Sequence, residues 1–299
     1  MAEEEENLKI SIVICGGGKA NTKSLFGNIE KTVGFSHEII YINNSQNKYT
    51  IFEAYNLGIK RSSGLYICFI HDDILFHSKG WGPTLIELFQ DSSVGLIGIA
   101  GSKSKTKMPS LWWRCPKEDK FFNIIQHTPY KGRVEWNSGF GSNSTEEVVV
   151  IDGVFMAARK DDLIFFDTTM KGFHNYDLNI SFEYKKHGYK IIVTNEVVIE
   201  HFSLGTINEE WVDSSFKLHK IYNENLPLFL TETVEARKQE IGNARWFINE
   251  CLKFSKFDLA FAVWKKLFRQ KPFLKFHLIY WKNNFKNNWH LIKRSIQLN

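Results

Sequence analysis

Short runs of β-branched and aliphatic residues alternate with segments of helical spacing through the first third of the chain. Residues 49–61 and 81–90 have the helical spacing, and each apolar run stops at glycine, asparagine or acidic residues. The runs predict four strands, at residues 9–15, 37–43, 65–70 and 94–100. Strands that alternate with helices predict an α/β domain with a mostly parallel central sheet. In such sheets ligands bind at the carboxyl ends of the strands, so the residues that follow each run become candidates for chemistry.

The middle of the chain is less regular before strand-like runs return. Residues 101–145 are rich in lysine, serine, tryptophan and glycine, and we predict a long functional loop that contains a hairpin. After it, a helix is predicted at residues 177–187, closed by Gly188. Further strands are predicted at residues 147–151, 154–158, 190–194 and 197–200.

Beyond about residue 211 the hydrophobic pattern becomes helical. Two aromatic stripes, separated by Pro272, predict a helical appendage: Phe257, Ala260, Phe261, Trp264 and Phe268, then Leu278, Trp281, Phe285, Trp289 and Ile292. Packing within a helical hairpin explains both stripes. Because Lys282, Lys286, Lys293 and Arg294 accompany the second stripe, a helix lying on a membrane surface is the alternative. We therefore divide the chain into an acidic tail (1–8), an α/β domain (9–208) and a C-terminal helical region (209–299).

Composition narrows the class of protein. Of the 299 residues 43% are hydrophobic and 15% aromatic, which predicts a folded core rather than disorder. The net charge of +5 is concentrated near the end, where Asp258 is the only acid between residues 253 and 294. Such a basic region is typical of a surface that binds phosphates or anionic lipid, and equally of a solvated helix face. It contains no recognisable nucleic-acid reading motif, so we expect no nucleic-acid partner.

Cysteine usage and the apolar runs give an expectation for location. The four cysteines form no Cys-x-x-Cys pair, which argues against a zinc or redox motif. The acidic start is unlike a signal peptide, and no run reaches the about 18 apolar residues of a membrane span. We expect a cytoplasmic protein, in contact at most with the inner face of the cell membrane.

Two adjacent carboxylates follow the third predicted strand, in the sequence His71-Asp72-Asp73. Carboxylates are costly to bury unpaired, and their oxygens are ligands that Mg²⁺ and Mn²⁺ prefer. The pair is therefore a candidate site for a divalent cation that bridges a diphosphate. A turn that uses aspartate for its backbone geometry is the alternative.

Other candidate residues lie further along the chain. Asp177 opens a predicted helix, where it can cap the helix or act as a general base, and His201 follows a strand. Gly16, Gly17 and Gly18 follow the first strand, but Asn21 and Ala20 break the dinucleotide and ATP-loop patterns respectively.

Taken in order, these pieces resemble the family 2 glycosyltransferases of the GT-A fold, particularly bacterial enzymes of surface-polysaccharide synthesis. The resemblance covers roughly residues 9–203. It is carried by the first two strands, the segment 54–59, the run 63–73, the segment 152–157, the pair Tyr176-Asp177, Gly188-Tyr189-Lys190 and His201.

The resemblance implies a role for each matching residue. Asp73 is implied to bind Mn²⁺ or Mg²⁺, with His201 reaching the metal or the pyrophosphate. Asp177 is implied to be the catalytic base of an inverting enzyme, and Tyr176 replaces the acid that usually precedes it. Donor contacts are implied for Cys15, Gly16, Asn43, Asn56, Asp72, Asp152 and Gly153. The family often has aspartate at the position of Asn43 and arginine at that of Tyr55.

The implied reaction is transfer of a sugar from a nucleotide-diphosphate donor, most simply a UDP-sugar, to a glycan or lipid-linked acceptor. Trp112, Trp113 and Trp136 in the long loop could stack on sugar faces, although local packing also explains them. Two other functions stay open: a sugar-phosphate nucleotidyltransferase, and a catalytically silent relative that binds a nucleotide or glycan.

Overall fold

The computed structural model describes residues 8–17 and 22–282. Residues 1–7 of the predicted acidic tail, Gly18 and Lys19 of the glycine loop, and residues 283–299 lie outside this range. The last group includes Phe285, Trp289 and Ile292 of the second stripe and three of its four basic residues.

Fifteen strands and seven α-helices are described, with one 3-10 turn at Lys117–Asp119. The strands are β1 Ile10–Gly16, β2 His37–Asn43, β3 Tyr66–Ile70, β4 Ile74–Phe76, β5 Val94–Gly98, β6 Ala100–Ser102, β7 Ser104–Lys105, β8 Lys120–Thr128, β9 Gly132–Ser138, β10 Thr145–Val148, β11 Val150–Ile151, β12 Phe155–Arg159, β13 Lys190–Thr194, β14 Ile199–His201 and β15 Leu228–Phe229. The helices are α1 Thr22–Thr32, α2 Ile51–Arg61, α3 Trp81–Leu88, α4 Tyr176–Lys186, α5 Glu209–Ile221, α6 Val234–Lys253 and α7 Phe257–Gln270.

Seven strands form the central sheet, in the order β10-β13-β5-β12-β3-β1-β2. Strand β1 pairs parallel with β2 and β3, and β13 pairs parallel with β5. Strand β12 runs antiparallel between β3 and β5, and β10 runs antiparallel at the edge. The α/β class is therefore confirmed, and the sheet is mixed, with five strands in one direction and two reversed.

Helices cover both faces of this sheet. Side chains alternate along β1, so that Val13 packs in one apolar cluster while Ile12 and Ile14 pack in the other. Helices α2 and α4 cover the face of Val13, and α1 and α3 cover the opposite face. The Thr50 hydroxyl and the Glu53 carboxylate cap α2 reciprocally. Both faces of the central strands are thus buried, which leaves the strand ends as the place where polar residues collect.

A second sheet has the order β11-β6-β8-β14-β4. It begins where two runs of the chain pass from the first sheet into the second. The single predicted strands 94–100 and 147–151 are each two strands in different sheets, interrupted at Ile99 and Val149. The crossing is tight, because a Cβ on Gly101 would lie 2.4 Å from the Val150 carbonyl oxygen. Periodicity did not reveal this break, since both halves of each run are equally apolar.

Most of the predicted long loop is ordered secondary structure. Strands β8 and β9 pair as an antiparallel hairpin from Phe122 opposite Ser138 to Thr128 opposite Gly132. The expected hairpin is therefore present, and it is regular antiparallel structure rather than an irregular loop. Strand β8 also pairs with β6 and β14, which fixes the hairpin to the second sheet.

The C-terminal helices form a third apolar cluster. Helices α6 and α7 pack together, and Phe247, Val263 and Leu267 are buried between them and their neighbours. Met108 and Trp211 join this cluster from outside the two helices. The helical region is confirmed, with the break expected at Pro272, while the domain boundaries at residues 8 and 208 stay a prediction.

The first aromatic stripe is only partly buried. Ala260 is buried, and Trp264 stacks with Phe261, Phe268 and Tyr280, yet Phe261 and Phe268 are exposed. Among residues 8–17 and 22–282, no helix has the length and apolar character needed to cross a bilayer.

Candidate metal and donor site

Three side chains from distant parts of the chain converge at one edge of the central sheet. His71 and Asp73 follow β3, and His201 ends β14. The His71 Nδ1 atom lies 3.2 Å from His201 Nε2, and the Asp73 Oδ1 atom lies 3.7 Å and 3.5 Å from these two nitrogens. One ligand atom of each residue falls within 4.8 Å of the others. The arrangement suits a divalent cation held by two imidazoles and a carboxylate.

A buried glutamine orients the His201 ring. The Gln126 Oε1 atom lies 3.1 Å from His201 Nδ1, while Gln126 Nε2 donates to the carbonyl oxygens of His201 and Ser203. With its oxygen facing Nδ1, Gln126 accepts the Nδ1 proton, and Nε2 is left facing the cluster. Gln126 lies on β8, in the region predicted as a loop.

Tyr176 supports His71 in a corresponding way. Its hydroxyl oxygen lies 2.5 Å from His71 Nε2, which orients the ring so that Nδ1 faces the cluster. Burial raises the pKa of the Tyr176 hydroxyl well above its usual value, so it stays neutral. The tyrosine that replaces an acid in the family pattern is thus a hydrogen-bond partner of the cluster.

The electrostatics of the cluster favour an ionised carboxylate. Burial alone would raise the pKa of Asp73, but hydrogen bonds from His201, His71 and Ser203 lower it well below its usual range. Burial alone would lower the pKa of His71, and the neighbouring Asp73 raises it instead. The negative charge of Asp73 therefore favours positive charge in the cluster, and it would favour a bound cation in the same way.

Four predicted donor contacts lie at the same sheet edge. Gly16 pairs with Asn43 at the ends of β1 and β2, and the Gly17 N–H donates to Asp72 Oδ2 at 3.1 Å. Burial and the charge of Asp72 raise the pKa of the Cys15 thiol to about 11, so it stays protonated. The structure thus brings Cys15, Gly16, Asn43 and Asp72 beside the residues that follow β3.

Asp152 and Gly153 reach the site because β12 runs antiparallel to β3. The His71 N–H donates to the Val154 carbonyl oxygen at 3.3 Å. Asp152 accepts hydrogen bonds from the Trp112 indole N–H at 2.6 Å and the Val154 N–H at 2.9 Å. A Cβ on Gly153 would lie 2.4 Å from the Tyr176 hydroxyl oxygen, so only glycine fits there.

Asp177 begins the first turn of α4, next to Tyr176. Its Oδ1 atom accepts a hydrogen bond from the Leu178 N–H at 2.8 Å. Burial, followed by the negative charge of Asp152, raises the pKa of the Asp177 carboxyl to about 7. A carboxyl group with a pKa near neutrality is suited to proton transfer.

Asn56 has a different set of contacts from the other predicted donor residues. Its side-chain amide donates to the Phe166 carbonyl oxygen at 2.8 Å and accepts from the Phe166 N–H at 2.9 Å. It borders an outer cleft lined also by Lys48, Tyr49 and Lys60. Asn56 therefore fixes the loop that contains Phe166 to α2, and a donor contact for it stays a prediction.

The three tryptophans of the long loop divide into two groups. Trp112 is buried, and its indole N–H is occupied by Asp152. Trp113 and Trp136 are exposed by 41% and 39%. Local packing thus explains Trp112, and stacking on a sugar stays a prediction for the other two.

The comparisons with known proteins agree with this picture at the level of the family. A family model described as "Glycosyltransferase like family" matches residues 17–233. No curated protein sequence matches the chain.

Two solved structures of similar shape bind UDP. GalNAc-T7 with UDP, GalNAc and Mn²⁺ is 11% identical, over 82% of this chain and 57% of that one, with a TM-score of 0.49. S. aureus TarS 1–349 in complex with UDP is 12% identical, over 84% of this chain and 73% of that one, with a TM-score of 0.48. This chain thus spans little more than half the length of the GalNAc-T7 structure. The assignment of the family depends on the family model, and because that model matches well over half of the 299 residues, the chain belongs to the glycosyltransferase-like family.

Proposed function

We propose that this protein transfers a sugar from a nucleotide-diphosphate sugar, a UDP-sugar in the first instance, to a hydroxyl group of a glycan or lipid-linked acceptor. The observation that carries the proposal is the convergence of His71, Asp73 and His201 at the sheet edge that also holds Asp72 and Asp152. Membership in the glycosyltransferase-like family supports it.

His71, Asp73 and His201 would hold Mn²⁺ or Mg²⁺. Two imidazoles with a carboxylate fit Mn²⁺ better than Mg²⁺, which prefers oxygen ligands. When bound, the cation would neutralise the negative charge of the diphosphate leaving group. Gln126 and Tyr176 hold the two rings so that His201 Nε2 and His71 Nδ1 face the cluster.

Asp177 would act as the general base. With its carboxyl pKa raised to about 7, it can accept the proton of the acceptor hydroxyl near neutral pH. The acceptor oxygen would then attack the anomeric carbon opposite the diphosphate, which inverts the configuration. The transition state resembles the oxocarbenium ion of glycoside hydrolysis.

The donor would lie along the ends of β1, β2 and β3. The Gly17 N–H is paired with Asp72 Oδ2, and both groups are candidates for contacts to the donor ribose or pyrophosphate. Cys15, Gly16 and Asn43 would border the nucleoside, and Asp152 and Gly153 the transferred sugar.

Two substitutions separate donor binding from chemistry. In Asp177→Asn we expect the rate of transfer to fall by about 10²–10⁴-fold, the usual contribution of a general base, while the Kd for the donor changes little. In Asp73→Asn we expect donor binding in Mn²⁺ to weaken as well. Transfer and hydrolysis would be measured over a panel of nucleotide-sugars, with EDTA and then with Mn²⁺ or Mg²⁺ restored.

The same assay distinguishes the alternatives. Pyrophosphate released from a nucleoside triphosphate and a sugar phosphate would indicate a nucleotidyltransferase. A wild-type protein that binds UDP but consumes no donor would indicate a silent binding relative. Equal loss of donor affinity in Asp177→Asn and Asp73→Asn would contradict the role of Asp177 as a base.

A further inference from the structure

A small cavity with basic walls lies apart from the candidate metal cluster. It has a volume of about 190 Å³ and is lined by Pro109, Phe216, His219, Lys220, Val263 and Lys266. Helices α5 and α7 form two walls, and the segment after β7 forms the third. Ligand pockets for larger molecules measure about 300–1,000 Å³, so this cavity suits a small group rather than a nucleotide-sugar.

Three lysines lie at or directly behind this cavity. Lys220 and Lys266 line it directly. Lys105 is buried behind it, with its Nζ atom 2.8 Å from His219 Nε2 and 2.7 Å from Ser110 Oγ. His219 donates through Nδ1 to the Ser215 carbonyl oxygen, so Nε2 is the acceptor for Lys105. The basic groups therefore converge from β7, α5 and α7.

Burial, with some help from neighbouring positive charge, disfavours the charged forms of these basic groups. Burial and the charge of Lys107 lower the pKa of Lys266. Burial lowers the pKa of Lys105 to about 7, and burial with the charge of Lys105 holds the pKa of His219 well below its usual value. An anion in the cavity would relieve this repulsion.

Little negative charge compensates the lysines within the described part of the chain. No ion pair joins Lys220 or Lys266 to a carboxylate in residues 8–17 and 22–282. Glu240 and, more weakly, Asp177 act on Lys105 through their charge, and the two oxygens of Glu240 already accept the N–H groups of Lys107 and Met108 at 2.5 Å and 3.0 Å. The cluster of basic groups is thus open to an external anion.

We infer that this cavity binds a phosphoryl group. Lysine ammonium groups bind phosphate as point charges, and Phe216, Val263 and Pro109 provide apolar walls for the carbon atoms next to it. A phosphate monoester or diester on a soluble acceptor and the headgroup of a phospholipid share this chemistry. The inference concerns binding alone and stands whether or not the chain transfers a sugar.

The test adds inorganic phosphate or glycerol 3-phosphate to the full chain in EDTA. Each is compared with chloride at the same ionic strength. Phosphate should raise the melting temperature of the wild type and bind measurably in calorimetry. Lys220→Gln and Lys266→Gln should each weaken that binding by about tenfold, the equivalent of one charged hydrogen bond. Since each substitution also removes repulsion, neither variant should be less stable than the wild type without phosphate.

Lys265→Gln is the matched control, because it removes one exposed lysine of the same helix outside the cavity. It should bind phosphate like the wild type, and so should Asp73→Asn, which disables the candidate metal cluster. A wild type that shows no response to phosphate, or an equal response in all variants, would overturn the inference.

Vesicles identify the source of the phosphoryl group. Flotation with phosphatidylglycerol vesicles that is lost in Lys220→Gln/Lys266→Gln would assign a lipid headgroup. Binding of glycerol 3-phosphate without such flotation would assign a soluble phosphorylated acceptor.

Discussion

At the scale of single residues, Asp177 couples the proposed chemistry to the stability of the fold. Its carboxyl is partly buried near Asp152, and its pKa is raised to about 7 from a usual value of 3.8. The unfolded chain ionises this group near the usual value, so the folded state is penalised as the pH rises from that value to about 7. Ionisation of Asp177 therefore costs stability at the pH where a base is needed.

We predict that Asp177→Asn is more thermostable than the wild type at pH 8 and equally stable near pH 4. Asparagine carries no charge at either pH, so it escapes the penalty above the raised pKa. Melting temperatures would be measured in EDTA across this range. A wild type that matches Asp177→Asn at pH 8 would contradict the raised pKa.

Tyr176 gives a second prediction at this scale. Tyr176→Phe removes the hydroxyl that lies 2.5 Å from His71 Nε2 but keeps the ring. Loss of an outer partner of a metal-binding histidine costs about 10–100-fold in metal affinity. Titration of the purified protein with Mn²⁺ should show this loss, with the fold unchanged by circular dichroism.

Tyr184→Phe is the control, because its hydroxyl donates to the Arg159 carbonyl oxygen. It should leave Mn²⁺ affinity unchanged. Unaltered affinity in Tyr176→Phe would instead remove His71 from the set of metal ligands.

At the scale of elements, α6 fixes the segment that carries Trp112. Asn243 is fully buried on α6; it donates to Thr106 Oγ1 and to the Arg114 carbonyl oxygen, each at 2.9 Å, and accepts from Arg114 Nε at 3.0 Å. The C-terminal helices are thus connected, through this segment and Trp112, to Asp152 in the candidate site.

We predict that Asn243→Ala lowers the free energy of unfolding by about 1–3 kcal/mol, because buried partners lose their hydrogen bonds. Arg237→Ala, on the same helix, breaks an exposed ion pair with Glu232 and should have a much smaller effect. Denaturant titrations of both variants would measure the difference. Equal effects would show that the Asn243 network contributes little.

The sequence predicted elements well where a pattern is local. The bounds of β2 and β13 match the predicted runs, and α4 ends where Gly188 adopts a positive φ of 84°. It did not predict the splitting of residues 94–100 and 147–151 between two sheets, because tertiary packing rather than residue type determines that break. Helix α1 was also missed, since its apolar positions are few and follow the glycine loop.

The same distinction holds for the candidate site. Asp73, His201 and Asp177 became candidates from their positions after predicted strands or at the start of a helix, and the resemblance to a family implied their roles, which stay predictions. His71 was recognised only as a neighbour of Asp73, and Gln126 was missed within an irregular segment. Their roles depend on hydrogen bonds between residues far apart in the chain, and no spacing in the sequence reveals such contacts.

At the scale of the whole molecule, aromatic and basic groups are concentrated at the C-terminal helices. Phe273 is 98% exposed and Leu278 77% exposed, and Phe261, Phe268 and Trp281 are partly exposed nearby. The sequence of this region is rich in lysine, with Asp258 the only acid from residue 253 to 294. This combination suits contact with an anionic lipid surface, as the alternative interpretation of the stripes proposes.

We predict that the protein floats with vesicles of phosphatidylglycerol, less with phosphatidylcholine, and less at high salt. Phe273→Glu/Leu278→Glu should reduce flotation at least about tenfold, because it removes apolar contact and adds negative charge. Tyr130→Glu changes an aromatic residue that is 97% exposed on the β8–β9 turn and should float like the wild type. Equal flotation of all variants would argue against this surface.

Gly153 shows how little space the candidate site leaves for change. Even alanine there would push against the Tyr176 hydroxyl, and Tyr176 in turn supports His71. A side chain at this position would thereby disturb Tyr176 and, through it, His71 of the candidate metal cluster. In a saturation library of this chain, codon 153 should therefore retain glycine almost alone among active clones.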